Sequence, residues 1–220
     1  MFFEIMKIDI LKKIDFDELE RMVRGVPLLK KREDGSNVYV YENADISLRE
    51  LGVNDVNPTS FYVIGENLQT QRDLRKALSS HGVDILHLEG AYEIKNERGH
   101  VWTLMPPVVE VAEREVFYVP QDGEIEYLDK VKLNVPIIND GMHRAFLARE
   151  LGESFNAVYV SGALSDFPFY AHPNSWDKIK EVVEVPATKV EKKFYSREDC
   201  YGLYRDFGVL GCGAPRGTSK

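Results

Sequence analysis

The chain has 220 residues, of which 44% are hydrophobic and 29% charged, and a formal net charge of −8. These values are typical of one soluble globular domain with extensions. No apolar run reaches membrane-spanning length and the start lacks the apolar block of a signal peptide, so we expect a cytoplasmic protein without a membrane partner. The acidic balance disfavours broad affinity for nucleic acid, because cationic groups supply that affinity.

The first 58 residues are predicted to form a small N-terminal α+β extension. Residues 4–14 alternate in part between apolar and polar side chains, which fits a strand or an opening helix. A helix is predicted over residues 16–24, opened by Asp15 or Asp17 and ended at Gly25. A polar run at residues 33–36 separates two short apolar runs and therefore predicts a hairpin.

Residues 59–165 are predicted to form the core of the protein. The core opens with a strand over residues 61–64 and a helix over residues 69–80. The part around residues 83–130 is rich in strand signals and is interpreted as an insertion, which would cover a site as a lid or hold a partner. Its predicted strands are residues 85–88, 91–95, 101–105, 108–111 and 116–119, with turns at residues 96–99 and 121–123.

The most informative segment is residues 135–152. Residues 135–138 have strand composition, residues 139–141 are turn formers, and residues 142–151 have helical composition, with Gly152 as the stop. The pattern therefore predicts a strand that enters a glycine turn and then a short helix.

Such a helix start is suited to an anion. Its first backbone amides have no intrahelical partner and lie at the positive end of the helix dipole. Gly141 allows close approach of the backbone, and His143 and Arg144 add side-chain donors. The alternative is a plain turn with an N-cap, for which Asp140 is the candidate, followed by a solvated first helical turn.

After a strand predicted over residues 155–160, residues 166–220 are interpreted as an aromatic and basic C-terminal extension. The aromatic run at residues 167–176 either ties the extension onto the core, which we favour, or stacks on a nucleobase. A helix is predicted over residues 174–183. The glycine-rich end has the wrong residue order for a phosphate loop and predicts a flexible end or a clamp that orders on binding.

Few other residues of the C-terminal extension are candidates for a chemical role. Cys200 and Cys212 are interpreted as ordinary reduced thiols, with Cys212 expected to be exposed between its two glycines. Arg205 and Arg216 are within reach of an anion in this interpretation. The scattered lysines and arginines otherwise indicate a solvated surface.

The segment Asp140-Gly141-Met142-His143-Arg144, followed by Ala148 and Leu151-Gly152, resembles the signature of the ParB/sulfiredoxin-like superfamily. The strand at residues 61–64 and the helix after it are similar to the opening elements of that superfamily. The resemblance implies an α+β fold with a mixed sheet and helices, and implies that Gly141, His143 and Arg144 face nucleotide phosphates.

The departures from the superfamily pattern reduce the number of functions that the resemblance allows. Sulfiredoxins carry a cysteine where this chain has Met142, and a thioether cannot become a thiolate nucleophile. A helix-turn-helix domain, which follows the nucleotide fold in partition ParB proteins, is not evident after Gly162. The histidine before Arg144 resembles the free serine kinases, whose general base is a glutamate near the first strand; Glu66 is the nearest candidate by position.

We therefore predict a nucleotide-phosphate-binding protein that acts as a phosphotransferase or nucleotide hydrolase. The nucleotide would be ATP, ADP or CTP, with a small-molecule phosphoryl acceptor and with Mg²⁺ held by the phosphates and a carboxylate such as Asp140. Glu66 and His143 would be catalytic, and the phosphates would be held by Asp140, Gly141, Met142, His143 and Arg144.

Two other functions stay open from the sequence. The first is a non-catalytic module that binds nucleic acid or protein and uses the same helix end for a backbone phosphate. The second is a nuclease, which has little support because the sequence lacks a carboxylate cluster for metal ions.

Overall fold

The computed structural model describes residues 6–117, 130–198 and 200–212. The helices are α1 (Phe16–Arg24), α2 (Gly65–Ser79), α3 (Met142–Leu151) and the single turn α4 (Lys189–Lys192). The strands are β1 (Ile8–Ile14), β2 (Pro27–Lys31), β3 (Asn37–Tyr39), β4 (Asp45–Leu51), β5 (Tyr62–Ile64), β6 (Ala91–Asn96), β7 (Val101–Leu104), β8 (Val108–Phe117), β9 (Lys130–Asp140), β10 (Phe155–Ser161) and β11 (Lys180–Val182). Helices and mixed sheets together confirm the predicted α+β class.

A four-stranded mixed sheet carries the glycine turn. Its strand order is β4-β10-β8-β9, with β10 parallel to β8 and antiparallel to β4. β8 and β9 form a long antiparallel pair in which Val108 lies opposite Asp140. The predicted strand at residues 135–138 is the last part of β9, and α3 follows directly. The predicted strand, turn and helix are thus confirmed.

The N-terminal segment contributes strands to both larger sheets. β1 pairs with β6 in a three-stranded antiparallel sheet of order β1-β6-β7, so residues 8–14 form the strand rather than the helix of the two predicted alternatives. Residues 4 and 5 of that prediction lie outside the described residues. β4, which the sequence analysis missed, pairs with β10. The predicted division into three segments therefore stays a prediction, with hydrogen bonds that cross its first boundary.

Local sequence signals place most of the remaining elements correctly. Asp15 caps α1 by accepting a hydrogen bond from the Glu18 amide at 2.8 Å, and Gly25 ends the helix. The predicted hairpin is confirmed as β2 and β3, and β5, β6, β7 and β10 follow the predicted strands. α2 begins at Gly65 rather than at residue 69, directly after β5.

Two predicted strands in the central part of the chain need correction. Residues 85–88 form a buried loop, in which the Asp84 carboxylate accepts a hydrogen bond from the Leu86 amide at 3.0 Å. The apolar run at these positions reflects burial of the loop and not a sheet. The separate strands predicted at residues 108–111 and 116–119 are one strand, β8, up to Phe117; residues 118–119 and the turn at 121–123 lie outside the described residues.

The helix predicted over residues 174–183 is wrong. A 3₁₀ turn over Trp176–Lys178 is followed by β11, which pairs in parallel with β5. The Trp176 indole N–H donates to the carbonyls of Val53 at 2.8 Å and Val56 at 3.0 Å. These long-range contacts override the local helical composition.

The aromatic run after residue 166 ties the C-terminal part of the chain onto the core, as we favoured. Phe169 and Tyr170 are buried in one hydrophobic cluster with Ala112 of β8 and Ile137 of β9. In the described part of the chain, no helix combines the length and the hydropathy that crossing a membrane requires.

Candidate functional site

α2 and α3 lie side by side and point in the same direction. Three contacts join residues that are 78 or 79 positions apart: Ile64 with His143, Arg72 with Glu150, and Arg75 with Glu153. A nearly constant separation along both helices is possible only when they run parallel. Their N-termini therefore meet at one end, where their dipoles add positive potential.

The turn between β9 and α3 depends on a glycine. Gly141 has φ +81°, and a Cβ atom at this position would lie 2.7 Å from the Pro107 Cα. Gly141 is the N-cap of α3 and no side chain caps the helix, so the proposed capping role of Asp140 is wrong. Among the described residues, the amides of Met142 and His143 have no hydrogen-bond partner, whereas the Arg144 amide donates to the Gly141 carbonyl at 3.0 Å.

We expect Gly141→Ala to lower the free energy of unfolding well beyond the cost of a left-handed residue alone, which is about 1–2 kcal/mol. The added methyl group would overlap the backbone of Pro107 as well as occupy a positive φ. Gly152→Ala is the matched control, because Gly152 has φ +67° with nothing within 4 Å of the added methyl group. Chemical denaturation of both variants checks this, and equal losses would contradict the close approach.

His143 links the starts of the two helices. Its Nε2 accepts a hydrogen bond from the Ile64 amide at 3.1 Å, so Nε2 carries no proton and the proton of the neutral ring lies on Nδ1. Burial lowers the pKa of His143, and the nearby Asp140 partly offsets this shift. In this state the ring can donate from Nδ1 to a ligand, but Nε2 is already occupied and cannot serve as a base.

The lowered pKa of His143 predicts a loss of stability in acid. Above the ordinary pKa of 6.5 the ring is neutral in both the folded and the unfolded chain. Below it the unfolded chain takes up a proton more readily, so the stabilisation declines as the pH falls. We expect the wild type to lose more unfolding free energy than His143→Gln between about pH 7.5 and about pH 5.5 in denaturation experiments. Parallel pH profiles would contradict this.

Arg144 is buried and its charge has no close counter-charge. The side chain is 7% exposed, and its guanidinium donates to the Met105 carbonyl. Within the described residues, no carboxylate lies within ion-pair distance of it. Burial lowers the pKa of Arg144, and the more distant Asp140 partly offsets this shift. Arg144 does not swing out into solvent, so its charge contributes to the interior of the site.

A cavity of about 320 Å³ lies at this end of the helices. It brings together all five predicted phosphate-binding residues, Asp140, Gly141, Met142, His143 and Arg144. Six further residues, which were not predicted from the sequence, line the cavity: Ser60, Tyr62, Gln71, Asn139, Lys193 and Cys212. Only Asn139 had a local signal, its place in the glycine turn; the fold brings in the rest from distant positions.

Asn139 presents an unsatisfied acceptor. Its amide nitrogen donates to the Tyr41 hydroxyl at 2.8 Å and to the Glu110 carboxylate at 3.1 Å. A carboxylate only accepts, so the orientation of the Asn139 amide is fixed. Its Oδ1 is buried without a partner among the described residues, as is Oε1 of Gln71. Such atoms call for a donor from a ligand or a bound water.

Cys212 reaches the cavity because the C-terminal segment returns to the core. The Thr103 amide donates to the Gly211 carbonyl at 3.0 Å, which places the next residue at the cavity. Cys212 is only partly exposed, contrary to expectation. Burial, with a contribution from Asp140, raises the pKa of its thiol to about 12. The thiol is therefore protonated near neutral pH and is not an activated nucleophile.

The structure does not bring Glu66 into the cavity. Glu66 occupies an exposed position in the first turn of α2 and is not among the lining residues. Its role as general base stays a prediction.

A network of buried polar side chains contacts the cavity through Asn139. Arg205, which is fully buried, pairs with both oxygens of Glu110 at 2.6 and 3.0 Å. Glu110 also accepts a hydrogen bond from the Tyr41 hydroxyl at 2.5 Å and contacts Asn139. The expectation that Arg205 reaches an anion ligand is therefore wrong, because Glu110 is its partner. Arg216 lies outside the described residues.

One of three comparisons with known proteins identifies a family for this chain. No curated protein and no solved structure matches the chain. The sequence model of the ParB CE domain matches residues 18–180, which is more than half of the chain and includes β5, the glycine turn and α3. The match confirms the predicted ParB/sulfiredoxin-like assignment, while the closer likeness to free serine kinases stays a prediction. The chain belongs to the ParB CE domain family.

Proposed function

We propose that this chain is a ParB-family binding module that holds the phosphate of a nucleotide unit, free or within a nucleic acid, in the cavity at the starts of α2 and α3. Parallel dipoles, the open amides of Met142 and His143, and the Nδ1–H of His143 all favour a negative group there.

The observation that carries the proposal is the buried charge of Arg144. Burying a cation whose nearest negative charge, here Asp140, lies beyond ion-pair distance costs several kcal/mol in general estimates, unless an anion compensates it. Arg144 is 7% exposed and its hydrogen-bond partner, the Met105 carbonyl, is neutral. A phosphate in the cavity would supply the missing negative charge.

The same cavity offers oxygen acceptors that suit a phosphate-bound Mg²⁺. The Asp140 carboxylate would bind the ion or its waters. The ion would neutralise charge on the phosphates. In the described residues, no group of three or more His, Cys, Asp or Glu side chains could hold a metal on its own, so the ion would enter with the ligand.

Binding is better supported than phosphoryl transfer. A general base must lie within hydrogen-bond reach of the proton that it removes. Glu66 does not line the cavity and Nε2 of His143 already accepts a backbone hydrogen bond. Phosphotransferase or hydrolase activity, with ATP, ADP or CTP and a small-molecule acceptor, remains a prediction of the family resemblance.

Calorimetric titration with pyrophosphate, ATP, ADP and CTP, each with and without Mg²⁺, tests the proposal. We expect saturable binding of pyrophosphate and of the nucleotides, and no release of inorganic phosphate above the rate of the nucleotide alone. Absence of binding by every phosphate compound would overturn the proposal. Rapid phosphate release would replace it with the catalytic prediction.

A further inference from the structure

A second, larger cleft lies beside the phosphate cavity, on the C-terminal extension. Its volume is about 740 Å³, against about 320 Å³ for the phosphate cavity. Lys193 lines both of them, so the two spaces adjoin at this side chain. The Lys193 ammonium donates to the Thr59 hydroxyl at 3.0 Å and to the Tyr170 hydroxyl at 3.1 Å, which leaves one of its three protons for a ligand.

An exposed aromatic ring is fixed at the edge of this cleft. Lys193 and Tyr195 form bridges with Ser60 and Ala171, and Phe194 lies between them with its side chain 63% exposed. Since side chains alternate along an extended chain, the two bridges direct Phe194 to the outer side. The His172 amide also donates to the Phe194 carbonyl at 2.8 Å. The Phe194 ring packs against the His172 ring, with centroids 4.6 Å apart, so the part of the ring that His172 does not cover is open to a stacking partner.

The charges at the cleft differ from those of the whole chain. Lys189, Lys193 and Arg197 line it, against the single carboxylate of Glu198, in a chain of net charge −8. An aromatic surface beside cationic groups is the combination that binds unpaired nucleotides, because bases stack on the rings and phosphates contact the cations.

We propose that the cleft binds single-stranded nucleic acid, with one phosphate in the cavity at α3 and the neighbouring bases against Phe194 and against Phe61, which also lines the cleft. This inference rests on the proposed phosphate site and names its ligand class. The cleft is large enough for a whole small ligand in addition to the phosphate cavity, which favours a strand over one mononucleotide. Stacking on Phe194 needs unpaired bases, which excludes a duplex.

The test uses a 5′-phosphorylated, 3′-labelled oligothymidylate of about eight nucleotides, a length within the range of known single-strand sites. Fluorescence anisotropy compares the wild type with Phe194→Ala and with Tyr39→Ala, a control at an exposed aromatic outside the cleft. We expect Phe194→Ala to weaken strand binding about 5- to 150-fold and Tyr39→Ala to leave it unchanged. Pyrophosphate affinity should be the same in all three proteins.

Salt dependence provides a second readout. With three cations at the cleft and Arg144 at the cavity, the logarithm of strand affinity should fall with the logarithm of salt concentration with a slope of about −3, and Lys189→Gln should reduce the size of this slope by about 0.7. Unchanged strand binding in Phe194→Ala with intact pyrophosphate binding would overturn this inference alone, as would equal affinity for a duplex. If the wild type does not bind pyrophosphate, the proposed phosphate site is wrong instead.

Discussion

Arg205→Met is expected to lower the free energy of unfolding by about 3–5 kcal/mol, the range found when one partner of a buried ion pair is removed. The reason is the charge that stays behind. Glu110 is 2% exposed, and without Arg205 its carboxylate keeps, from the part of the chain that the structure describes, only the hydrogen bonds from Tyr41 and Asn139. The Arg205 guanidinium also donates hydrogen bonds to the carbonyls of Leu203 and Phe167, and the substitution removes these as well.

A double-mutant cycle separates charge from packing. Glu110→Leu with Arg205→Met should recover much of the stability lost in Arg205→Met, because a buried pair replaced by apolar groups of similar size is often tolerated. Lys12→Met serves as the surface control: its ion pair with Glu18 is 52% and 37% exposed, and we expect little change. Urea denaturation measures five proteins: the wild type, Glu110→Leu, Arg205→Met, the double variant and Lys12→Met. A small loss in Arg205→Met, similar to that of Lys12→Met, would refute the network as a structural support.

The same pair shows why part of the site is invisible in the sequence. An isolated arginine in a basic tail is expected at the surface, since arginine is almost never fully buried unless it is paired. Its partner Glu110 is 95 residues away along the chain, on a different strand. Only the tertiary fold brings the two residues together. The tertiary fold likewise brings Lys193 and Cys212 to the cavity.

The parts that were predictable have local causes. α1 has a capping aspartate before it and a glycine after it, and α3 lies between Gly141 and Gly152, both at positive φ. These signals act within a few residues and do not depend on the rest of the fold. Where burial or strand pairing decided the outcome, as for the loop at residues 85–88 and for β11, local composition predicted the wrong element.

Arg144→Met is expected to separate ligand affinity from stability. A charged hydrogen bond contributes about 1.5–3 kcal/mol, so pyrophosphate and ATP affinity should fall about 10- to 150-fold. The free protein, however, should be as stable as the wild type or more stable. The substitution removes a buried cation that Asp140 compensates only in part, which costs several kcal/mol by general estimates, and loses one charged hydrogen bond to the Met105 carbonyl, which contributes about 1.5–3 kcal/mol.

Arg149→Met is the matched control on the same helix and should show the opposite pattern. Arg149 donates to the Trp176 carbonyl at 3.0 Å and lies over the Trp176 ring, away from the cavity. Its removal should cost some stability and leave ligand affinity unchanged. Calorimetry and thermal denaturation of the two variants, without and with pyrophosphate, give both quantities. If Arg144 binds the anion, pyrophosphate should stabilise the wild type strongly and Arg144→Met weakly. If Arg144→Met instead unfolds easily and binds pyrophosphate as tightly as the wild type, Arg144 is a structural residue and the anion binds elsewhere.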